Sequence, residues 1–398
     1  MNTDILSSLY KQYTGQEPQS IDALPGAGAN RRYYRLNGVQ RLIGVCGTSV
    51  EENKAFVYMA QHFSEKGLPA PQVYAVADDC SAYLQEDLGN SLLFDCIANG
   101  RKNGDFSTEE ISMLKTVIRL LPRLQFEGDR EMDYSVCYPQ PEFNQDSVLF
   151  DLNYFKYCFL KPTDLDFHEL KLEANFRLFT KDLTSENTDS FLYRDFQARN
   201  IMLDDAGNPY FIDFQGGRKG PFYYDIASFL WQASAKYPHK LRRELIYEYY
   251  HSLKNYTEVP SVRHFVERLS LFVLFRTLQV LGAYGFRGYF ERKKYFIDSI
   301  PAAMQNLREL LELDVFHYPY MIDMLKRLTQ LPQFAPKEEP RQSRTDGLKT
   351  DDASIFKGHP QDGPATFSKY DGRGPLVVRV FSFSFRKGIP EDESGNGG

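Results

Sequence analysis

The chain has little cysteine and almost no tryptophan: five Cys and a single Trp, Trp231, in 398 residues. The cysteines (Cys46, Cys80, Cys96, Cys137 and Cys158) are odd in number, widely spaced and without a CxxC pair. This argues against a disulfide framework or a structural zinc site and favours free thiols in a reducing compartment. A basic excess is also missing. With 47 Lys and Arg against 53 Asp and Glu the formal net charge is −6, so nucleic acid is not an expected partner. No stretch approaches the roughly 18 consecutive apolar residues of a membrane span. Met1–Tyr10 lacks the basic start and apolar run of a signal peptide. No membrane association is expected, and the expected location is the cytosol. There is no internal repeat.

What is present is a chain long enough for two or three domains and 42% hydrophobic, enough for a substantial core. Aromatics are abundant, with 26 Tyr and 31 Phe. Residues 1–90 read as a small β-rich unit with one helix. The turn Pro25-Gly26-Ala27-Gly28-Ala29-Asn30 leads into a strand over Arg31–Leu36, and Gln40–Cys46 is a second strand. Glu52–Lys66 is the helix, with Phe56, Met59, Ala60 and Phe63 on one face and Gly67 as its C-cap. Gln72–Ala77 and Ser81–Leu88 are further strands.

Residues 91–331 read as mainly helical. Ser107 and Glu110 form a capping box for a helix reaching about Leu121. Asp151–Leu160 and Phe167–Thr180 are further helices, and 225–330 is largely helical. Phe191–Tyr193 is a short strand. Ile201–Leu203 and Tyr210–Ile212 flank the turn Asp204–Asn208 as a hairpin. Composition then shifts: 332–366 reads as a solvated linker, and 367–398 carries one strong strand, Leu376–Phe385, too little to bury a core alone. The pattern is that of an α+β protein.

The chemistry concentrates in Tyr193–Asn200 and Phe211–Gly217. Phosphoryl transfer asks a protein for a carboxylate that orients the acceptor hydroxyl and takes its proton, and for hard oxygen ligands for Mg²⁺. Asp195 suits the first task, and Asn200 and Asp213 suit the second. The hairpin between them returns the chain on itself, which would place Asn200 and Asp213 near one edge. Each residue alone reads as an ordinary turn residue. Together, at 195, 200 and 213, they have the spacing of the catalytic and metal loops of the protein-kinase-like fold.

The pair Asp195-Phe196-Gln197 and Asp213-Phe214-Gln215-Gly216-Gly217 resembles the aminoglycoside-phosphotransferase and choline-kinase superfamily, most closely the bacterial N-acetylmuramate/N-acetylglucosamine anomeric kinases. Leu24-Pro25-Gly26 through Arg35 resembles that branch's nucleotide loop, and Gln85–Gly89 its hinge. Gly220-Pro221 with Tyr224–Ser228 matches the segment after the metal aspartate. The resemblance spans about residues 20–315 and implies a two-lobed protein-kinase-like fold, with 1–90 as the nucleotide-binding lobe and 91–331 as the catalytic and substrate lobe. It implies ATP and Mg²⁺ as cofactors and a sugar hydroxyl as acceptor, with an aminoglycoside or other small alcohol, or a catalytically weak nucleotide-binding regulator, as alternatives.

By this resemblance Asp195 is the catalytic base and Asn200 and Asp213 bind Mg²⁺. Gly26, Gly28, Asn30 and Arg32 meet the nucleotide phosphates, and Glu86 and Leu88 its base. Asp225 holds the catalytic loop by hydrogen bonds. Arg194 and Arg199 either contact phosphate or pair with a carboxylate. Asp151–Phe155 would lie beside the acceptor, with Phe155 in the core, and Arg218 and Lys219 either face an anion or form a solvated turn. Two features depart from the pattern. Gln40–Cys46 carries no phosphate-binding lysine, a charge Arg41, Arg31 or Arg32 could replace, and the glycine loop lacks its third Gly. Leu376–Gly388 with Ile389–Asp392 resembles the start of the C-terminal domain of the RNase-adapter family, without the rest of that domain.

Overall fold

A computed structural model describes residues 2–25, 31–186 and 189–335. The chain opens with a helix the pattern did not predict, α1 (Asn2–Thr14), and an unpredicted short strand, β1 (Ser20–Ala23). β2 (Arg31–Asn37), β3 (Leu42–Gly47), α2 (Val50–Glu65), β4 (Val73–Val76) and β5 (Ala82–Glu86) follow. Among the described residues of 1–90 there are therefore two helices, not one. The five strands form one antiparallel sheet in the order β1-β2-β3-β5-β4, with Leu36 opposite Leu42 and Leu42 opposite Glu86.

β3 is buried on both faces, because each face has its own helix. Leu6, Leu9 and Tyr10 of α1 pack with Leu36, Leu42 and Leu84. That gain in apolar burial explains why a short helix of weak intrinsic pattern is stable there. Tyr10 pins it by donating its hydroxyl to the Gln40 carbonyl (2.7 Å). α2 starts at Ser49, whose side chain accepts from Glu52 N–H, and buries Phe56, Met59, Ala60 and Phe63 as the periodicity required.

β6 (Ser91–Leu92) leaves the sheet and leads into the helical part: α3 (Leu93–Cys96), α4 (Ala98–Asn103), α5 (Thr108–Glu127), α6 (Gln145–Phe155) and α7 (Glu169–Leu183). The capping box at Ser107 is present, with Ser107 N–H donating to Glu110 (2.9 Å) and Glu110 N–H to Ser107 (3.2 Å). α5 does not stop near Leu121. It continues through Pro122 to Glu127, because Leu121, Leu124 and Gln125 keep one face buried and outweigh the lost hydrogen bond. α6 begins six residues before the Asp151 expected from the pattern, at its own box of Asn144 and Ser147, and ends in a π-helical turn over Lys156–Leu160.

β7 (Phe191–Leu192), the hairpin β8 (Ile201–Leu203) and β9 (Pro209–Phe211), and β10 (Arg218–Lys219) make two small sheets, β10-β7 and β6-β8-β9. α8 (Tyr223–Leu230), α9 (His239–Leu253), α10 (Val262–Gly285), α11 (Lys294–Leu311) and α12 (Pro319–Thr329) complete the helical lobe. Val262–Phe290 is long and apolar enough to cross a membrane by length and composition, and 72% of its most apolar window is buried inside the protein. It crosses α6 closely: a Cβ at Gly282 would lie 2.8 Å from Phe155 N, and one at Gly285 2.2 Å from the Cys158 carbonyl.

The compact unit described ends at Phe334. Phe334 falls within the stretch read as linker, yet it is buried and stacks on Phe159 (5.5 Å). From residue 336 onward the linker and the RNase-adapter-like tail lie outside the described residues, as do Gly26, Gly28 and Asn30 of the nucleotide loop.

Candidate functional site

The β8–β9 hairpin, paired Ile201 to Phe211, carries Asn200 at one end and Asp213 just past the other. Ile212 N–H donates to the Asn200 carbonyl (3.0 Å). The buried Tyr193 hydroxyl reaches both strand ends, donating to the carbonyls of Ile212 and Asn200 (3.2 Å to the latter). One aromatic residue two positions before Asp195 thus ties the catalytic-loop sequence to the hairpin. The Asn200 amide donates to the Asp195 main-chain carbonyl (2.8 Å), which leaves its Oδ1 as the oxygen available to a cation. Asp195, Asn200 and Asp213 are brought together.

Asp195 itself is half-exposed, with 47% of its side-chain area accessible. Its Oδ1 accepts from Arg276 Nη2 at 3.0 Å. Arg276 sits on α10, is 5% exposed, and also donates to Ser228 Oγ (3.1 Å) and to Gln279. Sequence reasoning missed it. The available signal was one arginine inside the run Leu271–Leu281, where an unpaired guanidinium would be very costly to bury.

Asp213 has φ 64°, in the left-handed region unusual for a residue with a Cβ. Its carboxylate accepts from Gln215 (2.9 Å) and faces Arg31 at 3.8 Å. Burial raises the pKa of this acid, with Gln215 and Arg31 opposing the rise. Phe214, next in sequence, stacks on Phe56 of α2 (4.9 Å, 7°) and meets Phe63 edge-on (5.2 Å). The metal-loop sequence is therefore packed directly on the N-terminal lobe's helix.

The cation facing Asp213 is Arg31, not Arg32. β2 alternates its faces, so adjacent arginines point opposite ways. Arg32 is exposed, whereas Arg31 is 4% exposed and lies between Asp213 and Glu52 (3.6 Å) over the Phe56 ring (5.8 Å). Among the described residues its Nε and Nη1 have no hydrogen-bond partner. Arg41 is engaged elsewhere: with Arg35 it pairs Asp87 (2.6 and 2.7 Å), the residue between Glu86 and Leu88. Glu86 ends β5, its N–H donates to the Gln72 carbonyl (2.8 Å) and its carboxylate accepts from Gln72 N–H (3.2 Å). Leu88 is half-buried on the connection from the five-stranded sheet to β6.

Behind the loop, Asp225 in the first turn of α8 is fully buried and accepts from Tyr193 N–H (3.0 Å), Arg194 N–H (2.9 Å) and Gln125 (3.0 Å). Burial lifts its pKa to about 6 against those three donors and Arg276. Two of these bonds hold Tyr193 and Arg194, the latter at φ 76°, immediately before Asp195. Among the described residues Arg199 pairs with no carboxylate. It donates to Ser234 (3.0 Å) and Tyr295 and lies over Phe94 (5.5 Å).

On α6, Asp151 and Tyr154 are half-buried and Phe155 is in the core. Tyr154 stacks parallel to Phe150 (6.2 Å, 9°) and near Phe286 (5.9 Å). A separate cavity of about 450 Å³, lined by residues of α5 with Leu203, Gly207 and Pro209, holds none of these groups. Among the described residues no cluster of three or more His, Cys, Asp or Glu forms a metal site by itself.

The sequence profile of the phosphotransferase enzyme family (APH) matches residues 21–262. An N-acetylmuramate/N-acetylglucosamine kinase of Neisseria meningitidis is 26% identical over 295 residues, covering 70% of this chain and 82% of that protein. One of the same name from Pseudomonas aeruginosa is 23% identical over 325 residues, covering 80% and 89%. A crystal structure of choline kinase from Cryptosporidium parvum superposes with a TM-score of 0.56 at 14% identity, covering 81% of this chain and 99% of that one. At that identity the likeness is one of fold, the two-lobed kinase-like α+β architecture.

Proposed function

We propose, for a chain that belongs to the phosphotransferase enzyme family, that it moves the γ-phosphate of ATP onto a hydroxyl of an amino sugar such as N-acetylmuramate or N-acetylglucosamine. An ATP-using phosphotransferase acting on a small molecule follows from the family. The sugar is the further step, supported by the names of two relatives and by the aromatic and carboxylate surface of α6. The observation that carries the reading is the convergence of Asp195, Asn200 and Asp213, with Asp195 half-exposed and gripped by a buried arginine.

In this reading Asp195 orients the acceptor hydroxyl and takes its proton as the oxygen bonds to the γ-phosphorus, the bond to the β-phosphate oxygen breaks, and ADP leaves. The donor set fits Mg²⁺, a hard cation that prefers oxygen: the Asp213 carboxylate and Asn200 Oδ1 would hold it against the nucleotide phosphates, where it neutralises developing charge. Arg31 takes the place of the absent strand lysine, its unpartnered N–H groups being supplied by phosphate oxygens. Residues 1–90 and 91–331 form the two sides of the nucleotide cleft. Glu86–Leu88 line its hinge, and Gly26, Gly28 and Asn30 complete its loop. The cytosol, with its ATP and reducing conditions, suits five widely spaced cysteines without a CxxC pair.

The test is ADP release with Mg-ATP against a panel of amino sugars, aminoglycosides and choline. Turnover is expected on an amino sugar, and Asp195→Asn should lose about 10²–10⁴-fold in kcat while still binding ATP. Turnover confined to aminoglycosides or choline would remove the sugar assignment, and no turnover on any acceptor would remove the enzyme.

A further inference from the structure

Beside the catalytic loop, Arg194, Arg218 and Tyr224 line a narrow pocket with Phe143, Leu192 and Asp151. Three of these side chains carry donors with nothing to meet them. Tyr224 is 1% exposed, and its hydroxyl has no hydrogen-bond partner among the described residues. Burial holds that phenol above its ordinary pKa, so it stays an O–H donor. Arg218 is 3% exposed, and among the described residues its hydrogen bonds run only from Nε and Nη2 to the Gly216 carbonyl, both at 3.3 Å. The Arg194 side chain makes no hydrogen bond among the described residues. Neither guanidinium lies within 4.0 Å of a carboxylate there, although Asp151 and Asp195 are near enough to be felt.

Two desolvated guanidiniums side by side oppose folding unless something offsets their repulsion. Among the described residues Asp151 is the one carboxylate lining the pocket, and Asp195 is committed to Arg276 (3.0 Å). Two positive charges against one negative leave a single net positive charge. The free volume is about 10 Å³, room for one particle of about the size of water and too little for a sugar ring or a nucleotide phosphate. Apolar walls from Phe143 and Leu192, together with N–H and O–H donors, suit a weakly hydrated anion. We propose that Arg194, Arg218 and the Tyr224 hydroxyl bind one monovalent inorganic anion, chloride or another halide, as a structural ion of the catalytic loop. Asp225 already accepts the Arg194 main-chain N–H (2.9 Å). The anion ties down the side chain as well, so the residue before Asp195 is held at both ends. The site shares no residue with Asn200, Asp213 or Arg31, and it stands whichever acceptor is phosphorylated.

The test is thermal denaturation of the full chain titrated with sodium chloride or sodium bromide, with sodium gluconate holding the ionic strength constant. The melting temperature should rise by about 2–3 °C in either halide over gluconate and level off as the site fills. In Arg218→Gln the difference should vanish. Without halide that variant should be no less stable than the wild type, because one of the two opposed charges is gone. Tyr224→Phe keeps both charges and should raise the half-saturating chloride concentration about tenfold. A wild type that melts alike in chloride and gluconate, a response that climbs without levelling off, or an unchanged response in either variant would overturn the site. So would loss of the response when a carboxylate-bearing acceptor is added, which would give the two arginines to the acceptor. Should Arg218→Gln fail to fold, Tyr224→Phe decides alone.

Discussion

Asp195 sits in the loop that Asp225 holds from behind, and the surroundings of the two carboxylates differ in burial and in how many of their lone pairs are taken. Asp225 is fully buried, with its oxygens occupied by two main-chain N–H groups and Gln125. Asp195 is half-exposed and accepts one hydrogen bond from Arg276, leaving lone pairs for a substrate proton. A carboxylate saturated with fixed donors sets geometry. One that is oriented but unsaturated can do chemistry. Both occur in an Asp-rich, aromatic-rich stretch, and only their partners tell them apart.

The largest effect should come from breaking the structural member. Asp225→Ala would leave two buried N–H groups and Gln125 unpaired and should cost about 2–4 kcal/mol in urea unfolding; a loss below about 1 kcal/mol would show that Asp225 is not the anchor. The same residue carries a pH signature. Its folded-state pKa is raised to about 6, so the folded protein binds this proton more tightly than the unfolded chain. Its contribution is therefore most favourable at low pH and is lost as pH rises through about 6. The stability difference between wild type and Asp225→Asn should accordingly shift against the wild type between pH 4 and 7, and a flat difference would contradict the raised pKa.

A smaller effect tests the reactive member. Arg276→Met should preserve ATP binding but lower kcat about 10- to 100-fold, because Asp195 loses the guanidinium that orients its carboxylate. A kcat left unchanged in Arg276→Met, or a loss that only follows a lowered melting temperature, would assign Arg276 to packing alone. Smallest, Arg31→Met should raise the KM for ATP about tenfold, with Arg32→Met nearly silent; the reverse order would make Arg32 the nucleotide contact.

Much of this was legible before any coordinates. The capping box at Ser107, the apolar face of α2 and the β8–β9 hairpin are local devices, set by residues a few positions apart, and each is present. The fold class followed from the same local patterns and from the resemblance. Helix α1 was not legible, because its stability comes from packing on a sheet whose strands follow it in the chain. α5 passed Pro122 for a similar reason: tertiary burial outweighed a local stop signal.

By itself the sequence singled out Asp195, Asn200 and Asp213, and the hairpin between Asn200 and Asp213 already implied that those two return to one edge, while Asp195 joins them through the Asn200 amide. The tertiary structure alone decided which charges meet them. Arg276 is 81 positions from Asp195, and the choice of Arg31 over Arg32 depends on which face of β2 meets Asp213. Long-range ion pairs and strand facing are properties of packed elements, and no local pattern encodes them.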